Sequence, residues 1–303
     1  MVSEREAKTV VDTRLRQAVG YTVGAPEGGL GIVQAVPLAG RRTRPLHLAV
    51  FEHEAETGLG ALAGYLDAAG VEYDVLKTHQ PFSAPGDFDG VIVLGGSLSV
   101  DDVALDARRW LGDSVQRGLP CFAVCLGAQL LADALGARVT RGRPELGAHD
   151  IYLLDGARHD PLFADLPRRV PVFSFHQDRF DLPRRAVPLA GSLNCTYHAF
   201  RYGVAAYGFQ FHPEIRRKDI DRWRNVPGYR RLVEERDEDW GQLAEAVEAA
   251  APKRDRLAHE LLNRWLQLTA AVRTQREQSR PPRRRVDRRA KVSTSRRSDT
   301  DPK

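Results

Sequence analysis

The chain has 303 residues, 42% of them hydrophobic, enough to bury a substantial core and to exclude wholesale disorder. Its length admits one large domain with extensions or two modest domains, and no apolar run approaches the roughly 18–20 residues of a membrane helix. The net charge of +5 belongs to one end: residues 276–303 hold eleven Arg or Lys against four Asp or Glu, so the remainder is slightly acidic.

Residues 1–45 carry scattered Gly, Pro and charge without a sustained period and are read as an extension. They lack the basic-then-apolar order of a signal peptide, so a cytoplasmic protein is expected. Residues 46–51 are an apolar run suited to a buried strand, and 58–69 place Leu59, Leu62, Tyr65 and Leu66 at helical spacing before Gly70. Strands are predicted at 71–76, 91–94 and 120–124, and helices at 104–117 and 126–135. Alternation of this kind predicts an α/β fold built on a doubly wound, mostly parallel sheet. Shorter β-like pieces follow at 151–154, 170–175 and 204–211. From about 216 to 272 the pattern is helical and charged, with one apolar face that includes Trp223, Leu243, Leu261 and Trp265. The basic end beyond it, poor in apolar residues, is expected to be disordered; a contact with nucleic acid is its functional alternative. Arg outnumbers Lys by 39 to 6 along the whole chain, which points to composition bias rather than to phosphate recognition.

The sharpest local pattern is Pro120-Cys121-Phe122-Ala123-Val124-Cys125-Leu126-Gly127-Ala128-Gln129. An apolar strand runs into Cys125, and a helix starts at once. A nucleophile on such a bend needs small neighbours, which Ala123 and Gly127 supply, and the helix N-terminus favours a thiolate. A lone Cys at a strand end is also an ordinary core residue. A thiolate nucleophile needs a base that later protonates the leaving group. Tyr207-Gly208-Phe209-Gln210-Phe211-His212-Pro213-Glu214 offers one: His212 at a strand's carboxyl end, with Glu214 two residues on to orient it. Cys121 and Cys195 are read as buried apolar fillers, and three cysteines do not make a disulfide framework. No Cys/His pair has zinc spacing and no P-loop is present, so neither a metal nor a nucleotide cofactor is predicted.

Three blocks together resemble the class I (triad) glutamine amidotransferases, and among them proteins similar to the stand-alone glutaminase domain of GMP synthase. They are Leu94-Gly95-Gly96-Ser97, the Cys125–Gln129 elbow, and the His212-Pro213-Glu214 block 87 residues after the cysteine. A weaker fourth block is His176-Gln177-Asp178. The resemblance implies a flavodoxin-like domain over 46–215 with a helical C-terminal extension packing on it over 216–272, and it leaves residues 1–45 and the basic tail over 273–303 outside. It implies a Cys125–His212–Glu214 triad that hydrolyses the side-chain amide of glutamine, or of a γ-glutamyl compound, through a thioester. The backbone N–H groups of Gly96 and Leu126 would hold the oxyanion, and Gly95, Gln129, His176 and Asp178 would contact the substrate. A separate synthetase that accepts the ammonia is the implied partner. The sequence departs from the family pattern at Ala123 and Gln177, where glycine is common, and at His198, where Gln is frequent. The rival expectation, drawn from the basic tail, is a regulatory or nucleic-acid-binding protein that keeps the fold without the activity.

Overall fold

The apolar runs do form strands, and their lengths set the architecture. The computed structural model describes residues 44–80 and 88–279. The expectations for residues 1–43 and for the tail beyond 279 lie outside the described residues. In chain order the first half contains β1 (His47–Glu52), α1 (Leu62–Ala68), β2 (Glu72–Lys77), β3 (Gly90–Val93), α2 (Leu105–Gln116), β4 (Cys121–Val124) and α3 (Leu126–Ala134). Then come β5 (Val139–Leu153), β6 (Arg169–Phe180), β7 (Val187–Gly191), β8 (Ala199–Tyr202) and β9 (Ala206–Phe209). Four helices close the described chain: α4 (Arg217–Trp223), α5 (Pro227–Glu235), α6 (Trp240–Ala249) and α7 (Ala251–Gln278).

The strands form one sheet in the order β2-β1-β3-β4-β9-β8-β7-β5-β6. The first five run parallel, and from β9 onward each neighbour is antiparallel. The doubly wound α/β core is as expected, and it carries an antiparallel wing. Strands β3, β4 and β9 are buried at every position, because helices cover both faces of a parallel sheet. Successive side chains of β1 divide accordingly. Leu48 and Val50 join a cluster with Leu62, Leu66, Phe122 and Trp265, while Ala49 and Phe51 join Trp110, Leu111 and Leu131 on the opposite face. Only the edge strand β2 is largely exposed within this half.

A third cluster packs α4, α5 and α6 on the antiparallel wing, with Ile220, Trp223, Tyr229, Leu243 and Val247 against Phe173 and Phe175 of β6. Asp239 caps α6 by accepting from Gln242 N at 2.9 Å. Helix α7 lies across the first face of the sheet. Trp265, wholly buried, donates from Nε1 to Ala205 O at 3.0 Å.

Three differences from the sequence pattern have physical reasons. The helix expected over 58–69 starts only at Leu62, because Gly60 takes a positive φ of 54° and turns the chain first. The strand expected over 204–211 is shorter, β9, entered from β8 by a turn at Gly203 with φ 60°. The first two-thirds of β5 mix charged with small residues and carry no apolar run, while β7 is five residues broken by Pro188 and β8 is only four residues with Arg201 among them.

Candidate active site

The carboxyl ends of β3, β4 and β9 meet at the middle of the sheet, which is where an open α/β fold leaves a crevice. Cys125 stands there between β4 and α3 with φ 51° and ψ −110°, a conformation that a residue with a Cβ adopts only under strain. The backbone holds it in place: Cys125 N donates to Phe209 O of β9 at 2.7 Å, and Gln129 N bonds Cys125 O at 3.1 Å. The bend closes only because position 127 is glycine. A Cβ on Gly127 would overlap the Val93 carbonyl of β3.

Gly95 and Gly96 follow β3 and face the elbow. A Cβ at Gly95 would lie 3.1 Å from His212 Cε1 and 3.5 Å from Cys125 Cβ, so its absence leaves the space beside both groups open. At Gly96 a Cβ would press on Leu126 at 2.8 Å. Leu126 opens α3, so its N–H has no acceptor within the helix. The loop is tied down by Glu54, which accepts from Ser97 N at 2.5 Å and from Ser97 Oγ at 2.7 Å.

His212 is fully buried, and its Nδ1 meets Glu214 Oε1 at 2.7 Å. Glu214 is itself fixed through its backbone: its carbonyl accepts from Ala61 N at 2.7 Å, and a Cβ on Gly60 would overlap that carbonyl. Burial alone disfavours the imidazolium. Glu214 and a Cys125 thiolate outweigh it, and the pKa of His212 is pushed up to about 10. A folded pKa above the ordinary value of about 6.5 gives stability that is complete below about pH 6.5 and lost as pH rises through about 10. Thermal melts are therefore expected to show stability falling between about pH 7 and about pH 10, with a flatter profile in His212→Gln. Equal slopes in the two proteins would remove this ion pair as the cause.

Aromatic rings wall the site from the helical side. Trp223 packs edge-on to His212 at 5.0 Å and stacks on Tyr229 at 4.6 Å, and Phe175 meets both rings. Around the thiol, Cys125 Sγ lies 3.8 Å from Phe175 O and 3.9 Å from Gln210 Nε2. Gln129 does not reach toward open space. Its buried amide donates to Asp178 O at 2.9 Å and lies 3.4 Å from Gln210 Oε1.

The structure thus brings Gly95, Gly96, Cys125, Leu126, Gln129, His212 and Glu214 to one place. Asp178 joins them through its main-chain carbonyl. His176 turns elsewhere: its Nε2 lies 3.1 Å from Glu145 Oε2, and His198 Nε2 lies at the same distance from that oxygen. Burial pushes both imidazoles below their ordinary pKa despite the carboxylate. Gln210 stood within the His-Pro-Glu block, but sequence reasoning had no signal for Glu54 or Glu145, whose partners lie tens of residues away in the chain.

Residues 58–222 match the family model described as Glutamine amidotransferase class-I. The chain is 38% identical over 128 residues to the glutamine-hydrolyzing GMP synthase of Thermomicrobium roseum, covering 42% of this chain and 23% of that protein. It is 30% identical over 167 residues to a glutamine-hydrolyzing GMP synthase subunit from Archaeoglobus fulgidus, covering 54% of this chain and 85% of that one. A crystal structure of a glutamine amidotransferase from Thermotoga maritima superposes with a TM-score of 0.67 at 26% identity, over 74% of this chain and 99% of that one. The sequence blocks, the sheet that gathers them and the span of these similarities lead to one assignment: the chain belongs to the class I glutamine amidotransferase family.

Proposed function

We propose that this enzyme hydrolyses the side-chain amide of glutamine, or of a γ-glutamyl compound, through Cys125, His212 and Glu214. The observation that carries the proposal is the strained Cys125 elbow beside a His212 ring bonded to Glu214 at 2.7 Å. The Cys125 thiolate attacks the amide carbon, and the N–H groups of Gly96 and Leu126 hold the resulting oxyanion. His212 gives its proton to the leaving nitrogen, ammonia departs and a γ-glutamyl thioester remains. The same ring then takes a proton from the attacking water, the C–S bond breaks, and glutamate leaves. Glu214 holds the imidazole in the orientation that both steps require.

The Archaeoglobus relative bears on what the ammonia serves. That protein is one subunit of a synthase, and a separate ammonia-accepting synthetase is the partner this reading gives the present chain. A reducing, cytoplasmic location suits its three free cysteines, and among the described residues no helix is long and apolar enough to cross a membrane.

An electrophilic glutamine analogue tests the chemistry. The expected result is one covalent adduct on Cys125, located by mass spectrometry, and none in His212→Ala. An unlabelled Cys125 in the wild-type protein would overturn the proposal. Ammonia release from glutamine with no partner added, set against release from γ-glutamyl amines, separates a stand-alone hydrolase from one component of a synthetase.

A further inference from the structure

We propose that Glu145, His176, Cys195 and His198 form a binding site for one divalent transition-metal ion of the zinc type. The four come from separate pieces of the antiparallel wing. Glu145 on β5 and His176 on β6 are register partners across the two strands, Cys195 lies in the turn between β7 and β8, and His198 immediately precedes β8. All four are at least nine-tenths buried, and one donor atom from each lies within 4.8 Å of every other. Tetrahedral zinc with ligands at about 2.0–2.3 Å separates its donors by about 3.3–3.6 Å, so the widest pair needs a contraction of about 1.5 Å at most, while the two pairs at 3.1 Å open slightly.

Donor and acceptor accounting favours a cation between these groups. His176 Nδ1 faces the Asp178 carbonyl at 3.1 Å, and a carbonyl only accepts, so Nδ1 carries the proton. In the neutral ring, Nε2 then presents a lone pair to Glu145 Oε2, 3.1 Å away, which presents another. Despite their separation, His176 Nε2 and Glu145 Oε2 make no hydrogen bond of acceptable geometry to each other or to any other group. His198 Nε2 is also 3.1 Å from that oxygen, again without forming a hydrogen bond to it. Of the four donor atoms, His176 Nε2 and Glu145 Oε2 are the two left without a partner, while His198 Nε2 meets Ser192 Oγ at 3.1 Å and Cys195 Sγ donates to Tyr197 O at 3.5 Å, contacts that a bound ion would replace.

The surrounding groups fit such an ion. Ser192 Oγ donates to the other carboxylate oxygen of Glu145 at 3.0 Å, and the Asp178 carbonyl orients His176, the kind of outer partner that fixes metal ligands. Binding transfers the Cys195 thiol proton to solvent as the S–metal bond forms. The thiolate and the Glu145 carboxylate then offset the two positive charges, which leaves the buried site neutral. Nitrogen, sulfur and a single carboxylate select zinc-like ions over magnesium or calcium, and four protein donors leave no position open for water, as in a structural site. The site also borders the thiol pocket, because Phe175, next to His176, places its carbonyl 3.8 Å from Cys125 Sγ.

The test uses the full chain, stripped with a chelator and titrated with zinc or cobalt(II) alone. One equivalent of zinc is expected to bind, to raise the melting temperature and to release about one proton. Cobalt(II) is expected to give a thiolate-to-metal charge-transfer band that persists in Cys125→Ser and disappears in Cys195→Ser. His198→Gln, which keeps polarity but removes the imidazole, should weaken zinc by more than the roughly 10- to 100-fold that follows loss of an outer partner. It also carries the test if Cys195→Ser does not fold. Failure to bind one equivalent, unchanged affinity in His198→Gln, or a band that follows Cys125 instead of Cys195 would each overturn the site.

Discussion

Cys125→Ala is expected to abolish ammonia release from glutamine, lowering kcat by on the order of 10⁴- to 10⁶-fold, as loss of a covalent nucleophile does. A steady-state ammonia assay measures this directly, and a residual rate near wild type would place the nucleophile elsewhere. The same position offers a second readout that is independent of chemistry. At φ 51° and ψ −110° a Cβ is strained, by about 1–3 kcal/mol, and glycine is not. Cys125→Gly is therefore expected to exceed Cys125→Ala in stability by about 1 kcal/mol or more, reversing the order these residues show in ordinary backbone. Parallel denaturant melts of the two inactive proteins compare them. If alanine proves equal or better, the elbow holds no strain to release.

Gly127→Ala is expected to damage both stability and rate. Its Cβ would overlap the Val93 carbonyl and sit 2.9 Å from the Leu94 carbonyl. Both are main-chain atoms at the end of a central strand, with little room to yield. Overpacking against side chains costs about 1–3 kcal/mol, and against fixed backbone the expected loss is about 3 kcal/mol or more. Helix α3 must draw back, taking Leu126 and Gln129 with it, and a shift of about 1 Å is enough for a roughly 10²-fold loss of rate. Gly64→Ala in α1, with nothing within 4 Å of the added carbon, is the control and should be neutral or slightly stabilising. Wild-type melting and turnover in Gly127→Ala would show that the contact between α3 and β3 has slack.

The parallel half of the fold was legible because burial on both faces writes itself locally. Residues 91–94 and 120–124 have no polar residue to spare, and glycines mark the ends of the elements between them. Cys125 and His212 were legible for a related reason. Cys125 directly follows a buried strand with the small Ala123 and Gly127 beside it in the chain, and His212 follows buried β9 in a compact His-Pro-Glu run. Glu54 was not legible, because the groups it holds are on Ser97 and no local pattern links two positions 43 residues apart. The Glu145 cluster is hidden for the same reason: Glu145 and His176 lie on two strands, Cys195 and His198 on the segment before a third, and they meet only through pairing across the wing. Strand β5 hid itself as well, since Thr140, Arg141, Arg143 and Glu145 read as a charged loop.

The pairing of β4 with β9 sets when activity can first arise as the chain folds. Cys121 aligns with Ala206, and Cys125 N is held by Phe209 O, so the strand that leads into Cys125 waits for residues more than eighty positions downstream. Contacts of such long range are slow to form, because the loop between them must be closed before they reward the chain. Strands β1, β2 and β3 can pair among themselves as soon as they are made. The elbow acquires its neighbours only when β9 inserts beside β4, and that one event also delivers His212 and Glu214. A partly folded chain therefore holds a thiol without its base, and the reactive arrangement is withheld until the centre of the sheet is complete.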